Sequence, residues 1–376
     1  MAKIIRWICE KCNKKWIYPI SRCLYCNGEI KKQIGMKIKV IGFTRIHIPC
    51  PPHPIVPYNV LLLEDEYGNR MPKKTIKDYN IGDTYEDIPS KEENAIAITK
   101  IKYDVYEAVK EALELIGDIE VDRTNKILIK PNLSIPGYPY LGIGTHPEVM
   151  RGLLRYLIER GANPKNITIA EQSFFFPFDK AIAKSRINQI VKEFGVNLVD
   201  LSKTEFIEKK EREFVFRVSK IVYDFDLIFN VPVIKTDMLL GIDGAFENLT
   251  RFLSKENFNE FVRDIKKAIG ALAVLPNILP RFITIGDGTI GMQGNGPAEH
   301  GEPGFYNMIF AARNPVVHDK IVQEVLCLRR LPYVELAGKL GIGEYEVSKI
   351  KVIGNELDAV RRDIKQPIGS KLIKKD

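Results

Sequence analysis

The sequence predicts an α/β protein in which a layered, largely parallel sheet domain follows two small N-terminal modules. Two closely spaced Cys-x-x-Cys pairs occupy the first 26 residues, and from about Tyr103 apolar strand segments alternate with amphipathic helical segments. Between these regions, short strands punctuated by Gly and Pro predict a second small module. We therefore expect modules over residues 1–34 and 35–90, a linker over about 90–99, and a main α/β domain over 103–376.

The first module is a predicted zinc ribbon. Cys9 and Cys12 form one pair, Cys23 and Cys26 form the other, and ten residues separate the two pairs. Four thiolates at this spacing are typical of a tetrahedral zinc site in which no position is left for substrate, so the role is structural. A rubredoxin-like iron site uses the same geometry and stays an alternative. A segment this short depends on its metal for folding, by on the order of 10 kcal/mol.

The second module is a predicted small β-barrel of the OB type, because its strands are short and bounded by Gly and Pro. The blocks GFTRIHIP and VPYNVLLLEDEYGN, in this order after a ribbon, resemble the acyl-CoA-associated family called domain of unknown function 35. The resemblance covers about residues 5–88. It implies association with a thiolase-like enzyme and binding of the pantetheine arm of coenzyme A. From the residues alone, a ribbon and a barrel serve single-stranded nucleic acid equally well.

The net charge of +8 is concentrated near the N-terminus, where residues 1–50 carry eleven Lys or Arg and two acids. Such a surface favours nucleic acid or the phosphates of a nucleotide-like cofactor, and a solvated lysine-rich face is the alternative. No uninterrupted apolar run reaches the ~20 residues of a membrane span, and no signal-peptide core precedes the first Cys. We expect a cytoplasmic protein without a membrane partner.

In the main domain, polar residues come directly after several predicted strands. These strands are 127–129, 167–170, 227–231, 282–286 and 308–311. The polar residues are Lys130 and Asn132, Glu171, Lys235 and Asp237, and Asp287. Because ligands of open α/β sheets bind outside the carboxyl ends of the strands, we expect one shared site. The lysines are expected to be solvated there, so that removing one costs little stability.

Two further segments are predicted to border this site. Thr145-His-Pro-Glu148 predicts a helix with Thr145 as its N-cap and His146 beside N–H groups that favour an anion. His146 serves acid–base chemistry there or only a hydrogen bond near the cap. The run Gly286–Gly291 matches a dinucleotide-binding pattern, but no helix follows, so we reject that interpretation. The glycines to Gly296 instead predict a loop that approaches a ligand, or a flexible surface loop.

Six ordered blocks over about residues 103–355 resemble the family called domain of unknown function 362. They are ILIKPNL, GTHPEVMRGLLRYLIERGA, DFDLIFNVPVIKTD, GAFENL, GDGTIGMQGNGP and ARNPVVHDKIVQEVL. The resemblance implies site positions at Lys130, Asn132, Lys235, Asn248, Asp287, Asn295 and Asp319. Relatives usually have Lys-Thr-His where this chain has Asp237, and Lys-Asn where it has Glu247-Asn248, so this pocket is more acidic. Many relatives also carry an iron–sulfur module, for which this chain has no Cys left.

Together these observations predict an enzyme acting on a small anionic or acyl substrate, with the ribbon and barrel presenting coenzyme A or an acyl-CoA. The catalytic candidates are Lys130, His146, Lys235, Asp237 and Asp287. The substrate-binding candidates are Asn132, Glu171, Asn248, Asn295 and Asp319. A carboxylate among Asp237, Glu247 and Asp287 is expected to take a proton or to hold a divalent ion. A nucleic-acid-binding protein and a scaffold that bridges partner enzymes are the alternatives.

Overall fold

The computed structural model of the chain describes residues 4–18, 20–48, 50, 56–75, 78–85, 93–117, 119–133 and 135–368. The chain divides into two compact units, Met1–Ser90 and Lys91–Asp376. The strands are β1 Ile4–Cys9, β2 Lys15–Trp16, β3 Ile30–Gly35, β4 Lys39–Ile46, β5 Tyr58–Glu64, β6 Arg70–Thr75, β7 Ala95–Lys100, β8 Ile127–Pro131, β9 Ile167–Glu171, β10 Asn197–Asp200, β11 Phe206–Glu211, β12 Phe214–Ser219, β13 Leu227–Val231, β14 Val233–Asp237, β15 Gly241–Asp243, β16 Ile283–Gly294, β17 Gly301–Gly304, β18 Met308–Ala312 and β19 Lys351–Gly354. The helices are α1 Val105–Leu115, α2 Pro147–Glu159, α3 Phe178–Lys184, α4 Ile187–Phe194, α5 Ala245–Leu249, α6 Lys255–Val262, α7 Ile265–Val274, α8 Pro315–Val325, α9 Pro332–Lys339 and α10 Leu357–Val360.

The first unit contains two three-stranded antiparallel sheets, in the orders β2-β1-β3 and β4-β5-β6. The described residues of the predicted OB-type module form the second of these sheets. Thr84 adds an isolated β-bridge to Lys39. Ile4 of β1 packs in the same buried cluster as Val40 and Leu61, so the ribbon shares a core with the strands that follow it. Part of the Pro-rich segment between β4 and β5 lies outside the described residues.

The second unit is built on one large sheet with the strand order β10-β9-β8-β13-β16-β18-β7-β19. All neighbours in this order run parallel except those of β18, which is antiparallel to both β16 and β7. The hairpin of β14 and β15 and the short β17 extend the sheet along the second half of β16. The predicted α/β class with a largely parallel sheet after small antiparallel sheets is confirmed.

Helices cover both faces of this sheet because successive strand residues point to opposite sides. Ile127 and Ile129 of β8 pack in the cluster that contains the buried residues of α1 and α2. Leu128, between them, packs in a second cluster with residues of β12 and α7. None of the helices in the described part of the chain is long and apolar enough to cross a membrane.

The predicted linker over 90–99 is wrong in its second half, because Ala95–Lys100 is the buried strand β7 between β18 and β19. Its residues Ala95 to Ile98 are at most 2% exposed, since helices and sheet neighbours cover both of its faces. The α/β unit therefore begins before residue 103. The sequence signal for this strand is the short apolar run that follows the charged residues Lys91 to Glu93.

The glycine-rich run that predicts a ligand-contacting loop instead lies mostly within β16, a strand of 12 residues. Glycine is required there by close packing: a Cβ at Gly291 would lie 1.9 Å from the carbonyl oxygen of Ile234, and one at Gly286 would lie 2.3 Å from Nε2 of His318. The loop prediction is therefore wrong. The glycines allow β16 to lie against β14 and α8.

Candidate functional site

Lys235 of β14 is enclosed by oxygen atoms at the carboxyl edge of the sheet. Its Nζ lies 3.0 Å from Oδ2 of Asp243, 2.7 Å from the carbonyl oxygen of Ile143 and 3.3 Å from Oδ1 of Asn132. The antiparallel register of β14 and β15 places Lys235 opposite Asp243. The amide of Asn132 donates to the other oxygen of Asp243 at 3.0 Å. The ammonium charge is thus neutralised inside the protein.

Lys130, at the end of β8, has a comparable enclosure. Its Nζ is 2.5 Å from Oε2 of Glu171, which ends the neighbouring strand β9, and it donates to Oδ1 of Asn248 at 3.0 Å. Asn248 in turn donates to Oδ1 of Asn230 on β13 at 2.8 Å. Burial lowers the pKa of Lys130, and the carboxylate of Glu171 opposes that shift.

Five predicted site residues therefore meet at one edge of the sheet: Lys130, Asn132, Glu171, Lys235 and Asn248. This juxtaposition follows from parallel strands ending together. Their exposure differs from the prediction, because the two lysines and Glu171 are 0% exposed and the two asparagines 1%. The expectation of solvated lysines is wrong. Asn248, Asp243 and the backbone at Ile143 cover the ammonium groups that a bare strand end would leave in water.

The start of α2 is bound by a carboxyl group of the chain itself, that of Asp287. The backbone N–H of His146 donates to Oδ2 of Asp287 at 2.6 Å, while the N–H and hydroxyl of Thr289 donate to Oδ1 at 2.9 and 2.6 Å. Burial raises the pKa of Asp287, and these neighbours oppose the shift. Asp287 thus occupies the anion position that the sequence predicts beside His146.

The N-cap of α2 is His146 rather than Thr145. Nδ1 of His146 accepts the N–H of Glu148 at 3.2 Å, so the imidazole is used by the cap. The hydroxyl of Thr145 instead donates to the carbonyl of Val231 at 2.7 Å and accepts the N–H of Asn132 at 2.7 Å. The capping prediction is wrong by one residue, because the Thr145 hydroxyl has buried partners at the ends of two neighbouring strands, β8 and β13.

Two predicted binding residues lie outside the lysine cluster. Oδ1 of Asn295 accepts a hydrogen bond from the backbone N–H of Ile368 at 2.8 Å, and this bond connects the segment after β16 to the C-terminal segment. Asp319 on α8 accepts the N–H groups of Ala245 and Phe246, at 2.7 and 3.2 Å, and lies 2.8 Å from Nδ1 of His318. Asp319 therefore positions the start of α5, the helix that carries Glu247 and Asn248.

Glu247 connects the buried cluster to a cavity of about 110 Å³. Its carboxyl group is hydrogen-bonded to Asp243, and Nη2 of Arg251 lies 3.3 Å from its Oε1. Burial and the adjacent negative charge of Asp243 raise the pKa of Glu247 to about 8, although Arg251 opposes this. Burial opposes ionisation of Asp243 too, but Lys235 and Glu247 together hold its pKa below the ordinary value.

Asp237 lines the same cavity as Glu247. Its Oδ1 accepts the N–H groups of Leu239 and Leu240 at 2.8 and 2.7 Å. Burial raises the pKa of Asp237 despite these two hydrogen bonds. The cavity therefore has two carboxyl groups on its wall, both of which hold protons more tightly than ordinary carboxyl groups.

Sequence reasoning missed Asp243 and Arg251 as members of the cluster. The available signals were the spacing of Glu247 and Arg251, four residues apart as in a helical ion pair, and the position of Asp243 just before the GAFENL block. Neither signal shows that Asp243 would lie opposite Lys235, because that requires the β14–β15 hairpin.

A second cleft, of about 1070 Å³, lies at the opposite ends of the strands. It is lined by residues that precede β7, β13 and β16, and Asp226, Arg281 and Asn314 are among them. None of the predicted site residues lines it. The carboxyl edge with its smaller cavity is thus the place where the predicted side chains meet.

The four cysteines form a group that could hold one metal ion. Their sulfur atoms all lie within 4.8 Å of one another, and within the described residues no other group of three or more Cys, His, Asp or Glu side chains has this geometry. Cys9 and Cys26 are separated by 3.4 Å between their sulfurs, as are Cys12 and Cys23. An all-sulfur set of this size fits zinc or iron.

The two Cys-x-x-Cys turns have matching backbones. Asn13 and Asn27, each directly after the second Cys of a pair, adopt φ of 58° and 52°, a left-handed conformation that Asn tolerates. Burial opposes ionisation of Cys23, but N–H donors from Tyr25 and Cys26 lower its pKa to about 6. These donors favour the thiolate form that a metal requires.

The fold and the site define an α/β protein with a buried lysine–carboxylate cluster at the carboxyl edge of its sheet and a four-cysteine ribbon before it. The chain belongs to the family described as "Domain of unknown function (DUF362)", which matches residues 127–324. The predicted resemblance to that family is confirmed. The chain is also 21% identical over 225 residues to "Thylakoid-associated protein sll1697" of Synechocystis sp. (strain ATCC 27184 / PCC 6803 / Kazusa), covering 58% of this chain and 68% of that protein.

Two solved structures are similar to parts of the chain. The structure titled "Ltp2-ChsH2(DUF35) aldolase" shows 22% identity and a TM-score of 0.17, over 21% of this chain and 66% of that chain. The lactate racemase apoprotein from Thermoanaerobacterium thermosaccharolyticum shows 14% identity and a TM-score of 0.35, over 72% of this chain and 59% of that chain. This chain spans less than two thirds of each of these solved chains.

Proposed function

We propose that the second unit is an enzyme that moves a proton to or from a small molecule, with Glu247 as its acid–base group. One observation carries this proposal: Glu247 lines a cavity, and its carboxyl group has a pKa raised to about 8. A carboxyl group that titrates near neutral pH suits proton transfer, because it can both hold and release the proton at the working pH. Perturbed carboxyl groups of this kind concentrate at catalytic sites.

In this proposal the buried cluster tunes Glu247 rather than contacting the substrate. Asp243 stays ionised because Lys235 pairs with it, and its negative charge keeps the proton on Glu247. Lys130 and Lys235 are fully buried, so they do not contact the substrate. Their role is to connect the strand ends and to neutralise the buried carboxylates. Burial raises the pKa of Asp237, and while this carboxyl group keeps its proton it donates a hydrogen bond to an oxygen on which charge develops.

Hydrogen exchange into a small carbonyl compound tests this proposal. In the reaction, the C–H bond next to the carbonyl breaks, the proton passes to the Glu247 carboxylate, and the electron pair enters an enolate that then takes a deuteron from D₂O. We expect NMR to show deuterium entering at least one of a panel of short-chain ketones and simple thioesters. Glu247→Gln should reduce that rate at least a hundredfold, since acid–base groups contribute about 10²–10⁴-fold.

Lys203→Ala is the control, because Lys203 is 82% exposed and lies outside the cluster. Its exchange rate should equal that of the wild type. Exchange that is equally fast in Glu247→Gln would refute the role of Glu247, and no exchange with any compound of the panel would refute the reaction class.

We also propose that the first unit holds coenzyme A or an acyl-CoA, for delivery to the second unit or to a thiolase-like partner. Exposed aromatic side chains beside basic ones favour this: Tyr18 and Tyr25 are 51% and 70% exposed, and Nζ of Lys14 lies 3.7 Å from the Tyr25 ring. Trp16, by contrast, is buried against Cys9 and Cys23 and is not available for stacking. The resemblance of this segment to an acyl-CoA-associated family supports the choice of ligand.

Calorimetry on the full chain separates coenzyme A from nucleic acid. Tyr25→Ala should weaken coenzyme A binding several-fold, while Tyr103→Ala, at a tyrosine that is 53% exposed in the second unit, should not. Binding of a single-stranded oligonucleotide with a steep salt dependence, and none of coenzyme A, would replace this proposal by the nucleic-acid function. A stable complex with another enzyme, and no binding of either ligand, would favour the scaffold.

A further inference from the structure

The cavity beside Glu247 has an almost wholly apolar wall. Of its 14 lining residues, three are polar: Asp237, Glu247 and Thr250. The hydroxyl of Thr250 is already engaged, since it donates to the carbonyl of Glu247 at 2.6 Å and accepts from Nη1 of Arg251 at 2.8 Å. The other two polar residues on the wall are the acids Asp237 and Glu247, and the remaining eleven lining residues are apolar.

The cavity is large enough for a ligand and reaches the surface. Its volume of about 110 Å³ is several times what one water molecule needs, on the order of 10–15 Å³. Leu239 and Val262 on its wall are 60% and 43% exposed, so they mark its opening. Deeper lining residues such as Ala271 and Leu275 are at most 3% exposed.

Positive charge is concentrated beside this opening. The five residues between the lining residues Val262 and Ala268 include Arg263, Lys266 and Lys267, all exposed. The single acid among them, Asp264, is used as the N-cap of α7, where it accepts the N–H of Lys266 at 2.8 Å. An anionic group on a ligand is therefore favoured at the entrance, and a cationic one is disfavoured.

We infer that this cavity binds the hydrocarbon chain of a short acyl compound, with the acyl oxygen beside Asp237 and Glu247 and an anionic end group near the basic segment 263–267. The inference rests on the proposed function, because it names the substrate class of the same site. The apolar wall favours an alkyl chain through burial of its surface. A carboxyl group that holds its proton donates a hydrogen bond to a carbonyl oxygen, whereas the basic segment disfavours the ammonium group of an alkylamine.

A chain-length series tests this inference by binding alone. Calorimetry at neutral pH is run with butanoate, hexanoate, octanoate and decanoate, and with the amines of the same lengths. We expect the affinity of the carboxylates to rise about fourfold per added methylene, equivalent to ~0.8 kcal/mol, until the cavity is filled. The amines should bind more weakly at every length. An affinity that does not depend on chain length, or amines that bind more tightly, would overturn the inference.

Two variants locate the binding. Ala268→Leu places three additional carbon atoms in the cavity and should weaken octanoate binding at least tenfold, while Ala183→Leu, the same change at an exposed alanine on α3, should not. Leu239→Ala, at the exposed opening, keeps the test valid should the larger side chain disturb folding, and it should weaken binding several-fold. Unchanged affinity in both cavity variants would exclude this cavity as the binding site.

The outcomes separate this inference from the proposed function. Glu247→Gln removes the acid–base group but leaves the apolar wall, so the chain-length dependence should persist in that variant. Binding that depends on chain length as expected, without hydrogen exchange, would refute the proposed reaction but support the assignment of the cavity. Hydrogen exchange combined with binding that does not depend on chain length would support the reaction but refute the assignment of the cavity.

Discussion

Asp243 holds three partners at once in the interior of the second unit. It pairs with Lys235, accepts a hydrogen bond from Asn132, and is hydrogen-bonded to Glu247. Two carboxyl groups in contact within a protein interior cannot both be ionised cheaply, so one of them keeps a proton. Lys235 decides which one, because its charge lies against Asp243. The proton therefore stays on Glu247, the member of the pair that lines the cavity.

Lys235→Ala should lower the free energy of unfolding by about 3–5 kcal/mol, because it leaves Asp243 as an unpaired buried charge. Urea denaturation measures the loss. Lys203→Ala is the matched control, since Lys203 is 82% exposed in its pair with Asp200, and its effect should stay within about 0.5 kcal/mol. A loss below ~1 kcal/mol for Lys235→Ala would show that the ammonium group is not buried in this ion pair.

Glu247 should also make stability depend on pH. Folding raises its pKa from an ordinary 4.5 to about 8, so between these values the folded protein holds a proton that the unfolded chain has released. Its contribution to the free energy of unfolding therefore falls as pH rises through this window, by at most about 1.4 kcal/mol per pH unit. Glu247→Gln cannot titrate and should show a shallower fall. Parallel stability curves for the two proteins would contradict the raised pKa.

At the scale of elements, β16 is the strand on which the site is built. Its first half pairs with β13 and β18, and its second half pairs with β14 and β17. Asp287 lies between these halves, level with the end of β13, where its backbone N–H donates to the carbonyl of Pro232 at 2.8 Å. The strand thus presents Asp287 to the start of α2 and holds β14, with Lys235, beside it.

Gly291→Ala should destabilise the second unit by on the order of 2–4 kcal/mol, because its Cβ would lie 1.9 Å from the carbonyl oxygen of Ile234 and 2.4 Å from the Tyr306 ring. Chemical denaturation followed by circular dichroism measures this. Gly42→Ala is the control, since its Cβ would meet only Leu62, at an ordinary 3.8 Å. If the two variants are equally stable, the close approach of β14 to β16 is wrong.

The strand positions could be predicted from sequence because they depend on short apolar runs. The predicted strand 227–231 has the observed bounds of β13, and those at 127, 167 and 308 start at the observed residues. The same reasoning found only the first part of β16, with the predicted strand 282–286, and it missed β7. A glycine-rich run is equally compatible with a loop and with a strand that has close neighbours. A short apolar run after a charged segment resembles a linker. Only the neighbours in the sheet decide between these possibilities.

The prediction of the site was limited for a related reason. Convergence of Lys130, Asn132, Lys235 and Asn248 could be predicted, because it follows from the direction of parallel strands. Their burial could not, because it depends on atoms from the hairpin and from the segment before α2. Asp243 was missed since its position opposite Lys235 is a property of β-strand register, which the residue pattern around it does not specify.

For the whole molecule, we expect the first unit to be the part whose folding depends on metal. Its two buried clusters consist of its own residues, and one of them contains Cys9 and Cys23 themselves. Because such small clusters bury little apolar surface, we expect that they do not stabilise this fold without the metal. The second unit has three larger clusters that contain no cysteine ligand.

Cys12→Ser should therefore remove the bound metal and unfold the ribbon, while the second unit keeps its thermal transition. Metal analysis is expected to give one zinc per chain for the wild type, and calorimetry should show that the variant loses only the transition of the first unit. Serine at Cys327, outside the ribbon, is the control and should retain the zinc. Iron in place of zinc, or a fully folded first unit without metal, would contradict this account.

The central claim, a proton held on Glu247 beside the ionised Asp243, is tested most directly by following the side-chain carboxyl carbon of Glu247 by ¹³C NMR as pH is varied. Glu247→Gln identifies the resonance. The midpoint should lie near 8, and Asp243→Asn should lower it, because the charge that opposes ionisation is gone. A midpoint near the ordinary 4.5, or one that Asp243→Asn leaves unchanged, would contradict the claim.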